Sequence, residues 1–76
     1  MNQIKIFYRE ERRDCREIAL RGLEREINNF LIGEMVESLD NRERGKVKVS
    51  SMQVSVASLP DNMELYIAVL AYNFER

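Results

Sequence analysis

Seventy-six residues of 9.0 kDa, 45% apolar and 33% charged, describe one small globular domain spanning 1–76 rather than a disordered chain. Twelve Lys and Arg against thirteen Asp and Glu leave a formal net charge of -1, so no global field directs the chain to nucleic acid or to a membrane surface. With no His and a lone Cys15, a histidine-based triad, a Cys/His dyad, the usual zinc sites and an internal disulfide are all excluded within one chain.

Cysteine usage fits a reducing compartment. Asn2-Gln3-Ile4-Lys5 begins no apolar signal segment, and no stretch approaches the roughly 20 apolar residues of a membrane span. A cytoplasmic protein with no membrane partner is the expectation.

In chain order, Gln3 to Tyr8 alternates with period two and is rich in β-branched and aromatic residues, which predicts a strand. From Arg9 or Glu10 to Ile32 the period becomes helical. Ala19, Leu20, Leu23, Ile27, Phe30 and Leu31 fall on one side, with Glu10, Asp14, Glu17, Arg21, Glu24 and Asn28 on a polar flank. Asp14 followed by Glu17 suits the cap of a later start, but Arg9 to Arg13 contains no helix breaker, so both starts stay open. Gly33 is the expected terminator, with Met35, Val36 and Leu39 able to extend a further turn. Asp40 to Gly45 reads as a polar, mobile turn.

Lys46 to Ser58 is a Val/Ser-rich strand whose alternation slips, because Val47 and Val49 share one parity and Met52, Val54 and Val56 the other. That slip predicts a β-bulge near Ser50-Ser51. Leu59-Pro60-Asp61-Asn62 has turn chemistry and predicts a hairpin into a last strand from Met63 to Phe74. The fold class is therefore α+β: strand-helix-strand-strand, a three-stranded sheet with one main helix packed on one face. A crossover of the usual hand makes the first and a later strand parallel.

The last strand is apolar on both sides, with Met63, Leu65, Ile67, Val69 and Ala71 alternating against Tyr66, Ala68, Leu70, Tyr72 and Phe74. One helix covers one face only, and a strand buried on both faces is what such a run describes. A chain of this size buries roughly 60% of its unfolded surface, and its core supplies about 3–5 kcal/mol. Each large apolar side chain left in water forgoes roughly 1.5–3 kcal/mol. The second face is therefore expected to serve oligomerisation, sheets packing face to face or strands pairing across edges, with Phe7, Tyr66, Leu70 and Tyr72 at the interface. The competing reading is a monomer with 34–45 folded over that face.

Nine of the twelve basic residues are Arg, and Arg9, Arg12, Arg13 and Arg16 lie within eight positions. On an early-starting helix all four share the side of Leu20, Leu23 and Ile27. Either they lay their stems on apolar surface and pair with Glu10, Glu11 or a neighbour's Glu34 and Glu37, or they form a ligand-binding site. In the second case guanidinium forks hold phosphate or carboxylate beside a helix N-terminus.

Other clusters point to no chemistry of their own. Ser50, Ser51, Ser55 and Ser58 lack a placed base, so backbone satisfaction is their expected role. Tyr8, Tyr66 and Tyr72 suit a base-stacking platform, but Lys5, Lys46 and Lys48 supply no basic track, so nucleic acid is disfavoured and aromatic packing expected. Glu24, Glu26, Glu34 and Glu37 match no cation loop, and Cys15 is expected as buried helix filler.

Ile4-Lys5-Ile6-Phe7, then Leu23-Glu24-Arg25-Glu26-Ile27-Asn28-Asn29-Phe30-Leu31, a Lys/Val/Ser strand and Tyr66-Ile67-Ala68-Val69-Leu70-Ala71-Tyr72 together resemble the very small sporulation-associated proteins of spore-forming bacteria and their phages. The Arg-rich lead-in from Arg9 to Gly22 and the segment from Glu34 to Gly45 are longer than in that pattern. The resemblance implies a strand-helix-strand-strand domain without catalytic residues, and a phage setting implies a host-directed binder. The leading expectation is a non-enzymatic homo-oligomer acting by protein-protein interaction, with neither cofactor nor metal. The alternative is an oligomer that sequesters a small anion, such as a nucleotide signal, through Arg9, Arg12, Arg13 or Arg16 at subunit interfaces. A third class is an enzyme whose site is shared between chains.

Overall fold

The computed structural model describes residues 3–40 and 45–75. Strand β1 (Gln3–Arg12) leads through a 3-10 turn (Arg13–Cys15) into helix α1 (Arg16–Asp40), followed by β2 (Lys46–Leu59) and β3 (Met63–Glu75). β3 is central and antiparallel to both neighbours, giving the sheet order β1-β3-β2. β1 and β2 therefore run in the same direction with β3 inserted between them, which is the parallel relation expected for the first and a later strand. The architecture is α+β, one helix on a three-stranded sheet.

The first strand is longer than its alternation suggested, and the helix starts later. Arg9 to Arg12 continue β1 because β3 presents matching backbone as far as Met63, with Glu10 opposite Leu65, Glu11 opposite Glu64 and Arg12 opposite Met63. Ladder bonds to a central strand outweigh the helical preference of Arg and Glu, which is a few tenths of a kcal/mol per residue. The Arg13 amide then donates to the Asn62 carbonyl at 2.9 Å, fastening the end of β1 to the β2–β3 turn.

Gly33 does not end the helix. It stays helical at a cost of roughly 0.5–1 kcal/mol relative to Ala, and continuation to Asp40 keeps the preceding carbonyls hydrogen-bonded. In the expected turn from Asp40 to Gly45, positions 41–44 lie outside the described residues. Gly45 has φ 82°, a left-handed conformation natural to glycine.

The slip in β2 is resolved as anticipated. Val49 pairs with Tyr72 and Ser51 with Ala71, so Ser50 is the extra residue of a bulge. As a result Val47, Val49, Met52, Val54 and Val56 all face the helix side, opposite Phe74, Tyr72, Leu70, Ala68 and Tyr66. Pro60-Asp61-Asn62 makes the hairpin turn, with Asp61 and Asn62 both left-handed at φ 61° and 62°, a conformation these residues tolerate.

The core lies between α1 and one face of the sheet: Phe7, Tyr66, Ala68, Leu70 and Tyr72 below Ala19, Leu23 and Ile27, with Phe30, Leu31, Val47 and Phe74 packed at its margin. Phe30 meets Phe7 and Tyr72 edge to face at centroid distances of 5.7 and 5.4 Å. This overturns one expectation. Phe7, Tyr66, Leu70 and Tyr72, the residues expected on the uncovered face, are all buried beneath the helix. Large rings fill the depth under a helix, and their hydroxyls reach polar partners there. Tyr66 donates to Glu64 at 2.9 Å, and Tyr72 bonds Gln3 at 3.0 Å. The flat β-branched set, with Ile4, Ile6, Ile67 and Val69, is left on the other side.

Candidate interaction surfaces

The four arginines are not brought to one place. Alternation along β1 puts Arg9 on the helix side and Arg12 on the open side. The Arg9 guanidinium lies across Gly22, so near that a β-carbon there would collide with it, and stands 3.9 Å from Glu26. Arg12 reaches Asp14 at 3.4 Å, an exposed pair of small worth. Arg16, in the first turn of α1, donates to Glu64 Oε2 at 2.9 Å and to Oε1 at 3.3 Å.

That last pairing fixes the polar end of the core. Glu64 is 4% exposed, and its charge is held by Arg16 and Tyr66. The Arg16 hydrogen bonds first, and the Tyr66 hydroxyl second, keep its carboxyl below the ordinary value of 4.5 against the opposing effect of burial, with the Arg13 charge adding to them. Glu11 sits opposite Glu64 in the ladder, and its buried Oε2 has no hydrogen-bond partner among the described residues. Arg9, Arg12 and Arg16 thus each meet a different carboxylate, Glu26, Asp14 and Glu64, rather than Glu10 or Glu11, while Arg13 in the 3-10 turn acts on Glu64 through its charge.

The remaining sequence candidates are dispersed as well. Tyr8 faces the open side while Tyr66 and Tyr72 lie in the core, so no three-ring platform forms. Ser50 occupies the bulge, Ser51 and Ser55 share the open side, and Ser58 lies opposite Glu64 on the helix side. Cys15 is half-buried in the 3-10 turn, not inside the helix, with its thiol 3.8 Å from Asp14 Oδ1. No group of acidic or cysteine side chains able to hold a metal ion occurs among the described residues.

Two apolar surfaces stand out instead. On the open face, Ile4, Ile6 and Tyr8 of β1 are 67%, 55% and 72% exposed beside half-buried Leu65, Ile67 and Val69 of β3, and no element packs over them within the described residues. Along the β2 edge, Val49, Met52, Val54 and Val56 face the helix side yet are 44–52% exposed. Both were legible in part. Ile4, Ile6 and Tyr8 share one parity, but the sequence did not say which parity of β3 the helix would take.

Among the described residues no helix is long and apolar enough to cross a membrane. No protein-family model, curated protein or solved structure matches the chain.

Proposed function

We propose that this chain is a non-enzymatic, homo-oligomeric binding protein that acts through protein-protein contact. The observation that carries the reading is the open sheet face, where Ile4, Ile6 and Tyr8 continue an apolar surface formed by Leu65, Ile67 and Val69. Solvent-exposed apolar surface of this extent marks an interaction site.

The dimensions support it. The radius of gyration is 14.8 Å, against about 11 Å for a compact domain of this length. The chain measures 48 × 19 × 13 Å and exposes 5839 Å², where a monomer of this mass exposes roughly 4,900 Å². A long, thin two-layer particle gains more by sharing a face with another protein than by standing alone.

Native mass spectrometry of the parent and of Ile6→Glu tests the reading. Assemblies of two or more chains in the parent, and smaller species for an Ile6→Glu variant with unchanged far-ultraviolet circular dichroism, are expected. A parent that remains one chain at tens of micromolar contradicts it.

A further inference from the structure

We propose that β2 pairs antiparallel with β2 of a second copy about a twofold axis at Val54, joining two sheets into one of six strands. The inference rests on the self-association proposed above and adds a second contact, at the β2 edge rather than on the open face, with its register.

The two edges of the sheet differ in kind. β1 carries Lys5, Arg9, Glu10, Glu11 and Arg12 along its length, the charges by which edge strands are kept from pairing. From Val49 to Leu59, β2 has neither a charge nor a proline, and its residues from Lys48 to Ser58 are all exposed. The bulge at Ser50 lies at one end and leaves Ser51 to Leu59 in regular register with β3. From Ser51 to Leu59 this edge has neither the charges nor the proline by which edges are kept from pairing.

Side chains along it agree. Arg9 ties α1 toward β1 through Gly22 and Glu26. By helical angle, Leu20 and Met35 lie on the opposite flank, toward β2, and both are exposed. Val49, Met52, Val54 and Val56 face the same helix side from the free strand, so both the helix flank and the strand edge present exposed apolar side chains. A second copy related by a twofold axis brings an identical edge against this one, with the two helices side by side on one surface of the joined sheet.

Register follows from symmetry and charge. Directly opposite residues in an antiparallel pair share a face, so a twofold axis between identical strands passes through one residue and its own copy. Val54 is the midpoint of the charge-free run from Val49 to Leu59, and about it the pairing is regular from Ser51 opposite Ala57 inward, the bulge at Ser50 ending the regular ladder at each side. An axis there sets Met52 against Val56 and Gln53 against Ser55, and carries the end holding Lys46 and Lys48 toward Asp61 in the other copy's turn. The run is about 36 Å long at 3.3 Å per residue, and the molecule measures 13–19 Å across its shorter directions. The seam thus offers roughly 500–700 Å² per copy, at the lower end of the roughly 600–1,000 Å² that stable partners each bury.

The test uses the full chain in a Cys15→Ser background, with single spin labels on Met52→Cys, Val54→Cys, Val56→Cys and Tyr8→Cys. The shortest intermolecular distance is expected at position 54, with positions 52 and 56 each separated by about 13 Å of additional strand. Val54→Lys, which sets two ammonium groups together at the axis, is expected to weaken dimerisation at least tenfold while leaving the fold intact by circular dichroism. A parent that associates but whose shortest distance lies elsewhere, or whose dimerisation is unmoved by Val54→Lys, overturns the seam and leaves self-association standing. A parent that is a single chain overturns both.

Discussion

Arg16 at the start of α1 grips Glu64 on the central strand, with guanidinium bonds of 2.9 and 3.3 Å, and Tyr66 adds a third bond to the same carboxylate. One ion pair thereby couples the helix start to the middle of the sheet and to the end of the hairpin. Because the folded Glu64 carboxyl titrates below 4.5, its ordinary value, its contribution to stability is complete above that pH. The contribution is lost as pH falls through the lower folded value. Arg16→Ala leaves Glu64 buried without its cation, so the midpoint of acid unfolding, followed by circular dichroism, should move to higher pH. Glu64→Gln should flatten the parent's pH dependence below 4.5. Superimposable acid curves for parent and Arg16→Ala count against the coupling.

The inversion of faces makes neighbours in sequence unequal. Phe7 lies in the core against Phe30, while Tyr8 points away from the helix and is mostly exposed. Phe7→Ala should remove about 3–5 kcal/mol, as much as the core supplies, and so abolish the cooperative urea transition. Tyr8→Ala should stay within about 0.5 kcal/mol when measured at concentrations low enough to disfavour association. The reverse order contradicts the placement of the core.

Two helical glycines should respond differently to alanine. At Gly33 a β-carbon meets nothing within 4 Å, so Gly33→Ala should stabilise by roughly 0.5–1 kcal/mol through helix propensity alone. At Gly22 the new atom would collide with Arg9 Nη1, so the guanidinium must leave, and Glu26 loses its partner. Gly22→Ala should therefore gain less than Gly33→Ala in the parent, and recover the difference in an Arg9→Ala background. Thermal unfolding of this double-mutant cycle reads the coupling, and strict additivity would show that Arg9 does not rest on Gly22.

Deleting Ser50 should be tolerated. With the bulge residue removed, Val49 and Ser51 become neighbours on opposite faces, and their partners Tyr72 and Ala71 are already consecutive. A cooperative melt and a retained strand signal are expected. Deleting Gln53 instead displaces Val54 and Val56 by one position relative to Met52 and should disrupt the sheet.

Much of the fold could be read because its signals are local. The slip between Val49 and Met52 marks the bulge, Pro60-Asp61-Asn62 marks the hairpin, and Ala19, Leu23 and Ile27 mark the buried helix stripe. What escaped depends on distant partners. Arg9 to Arg12 have no strand preference of their own and extend β1 only because β3 has backbone to offer them. In β3 both parities are apolar, so the choice of Tyr66, Leu70 and Tyr72 for the core is made by the space beneath α1, which periodicity does not encode. The arginines look like one cluster in sequence only on a helix. With Arg9 and Arg12 on a strand and Arg16 at the helix start, these three separate to Glu26, Asp14 and Glu64.

Sedimentation equilibrium across a dilution series of the parent tests the central claim, that one chain leaves apolar surface which a second copy must cover. A mass that is a multiple of 9.0 kDa and falls toward it only on dilution is predicted. A single 9.0 kDa species at every concentration, with Ile6 and Val54 equally open to solvent labels throughout, would contradict it.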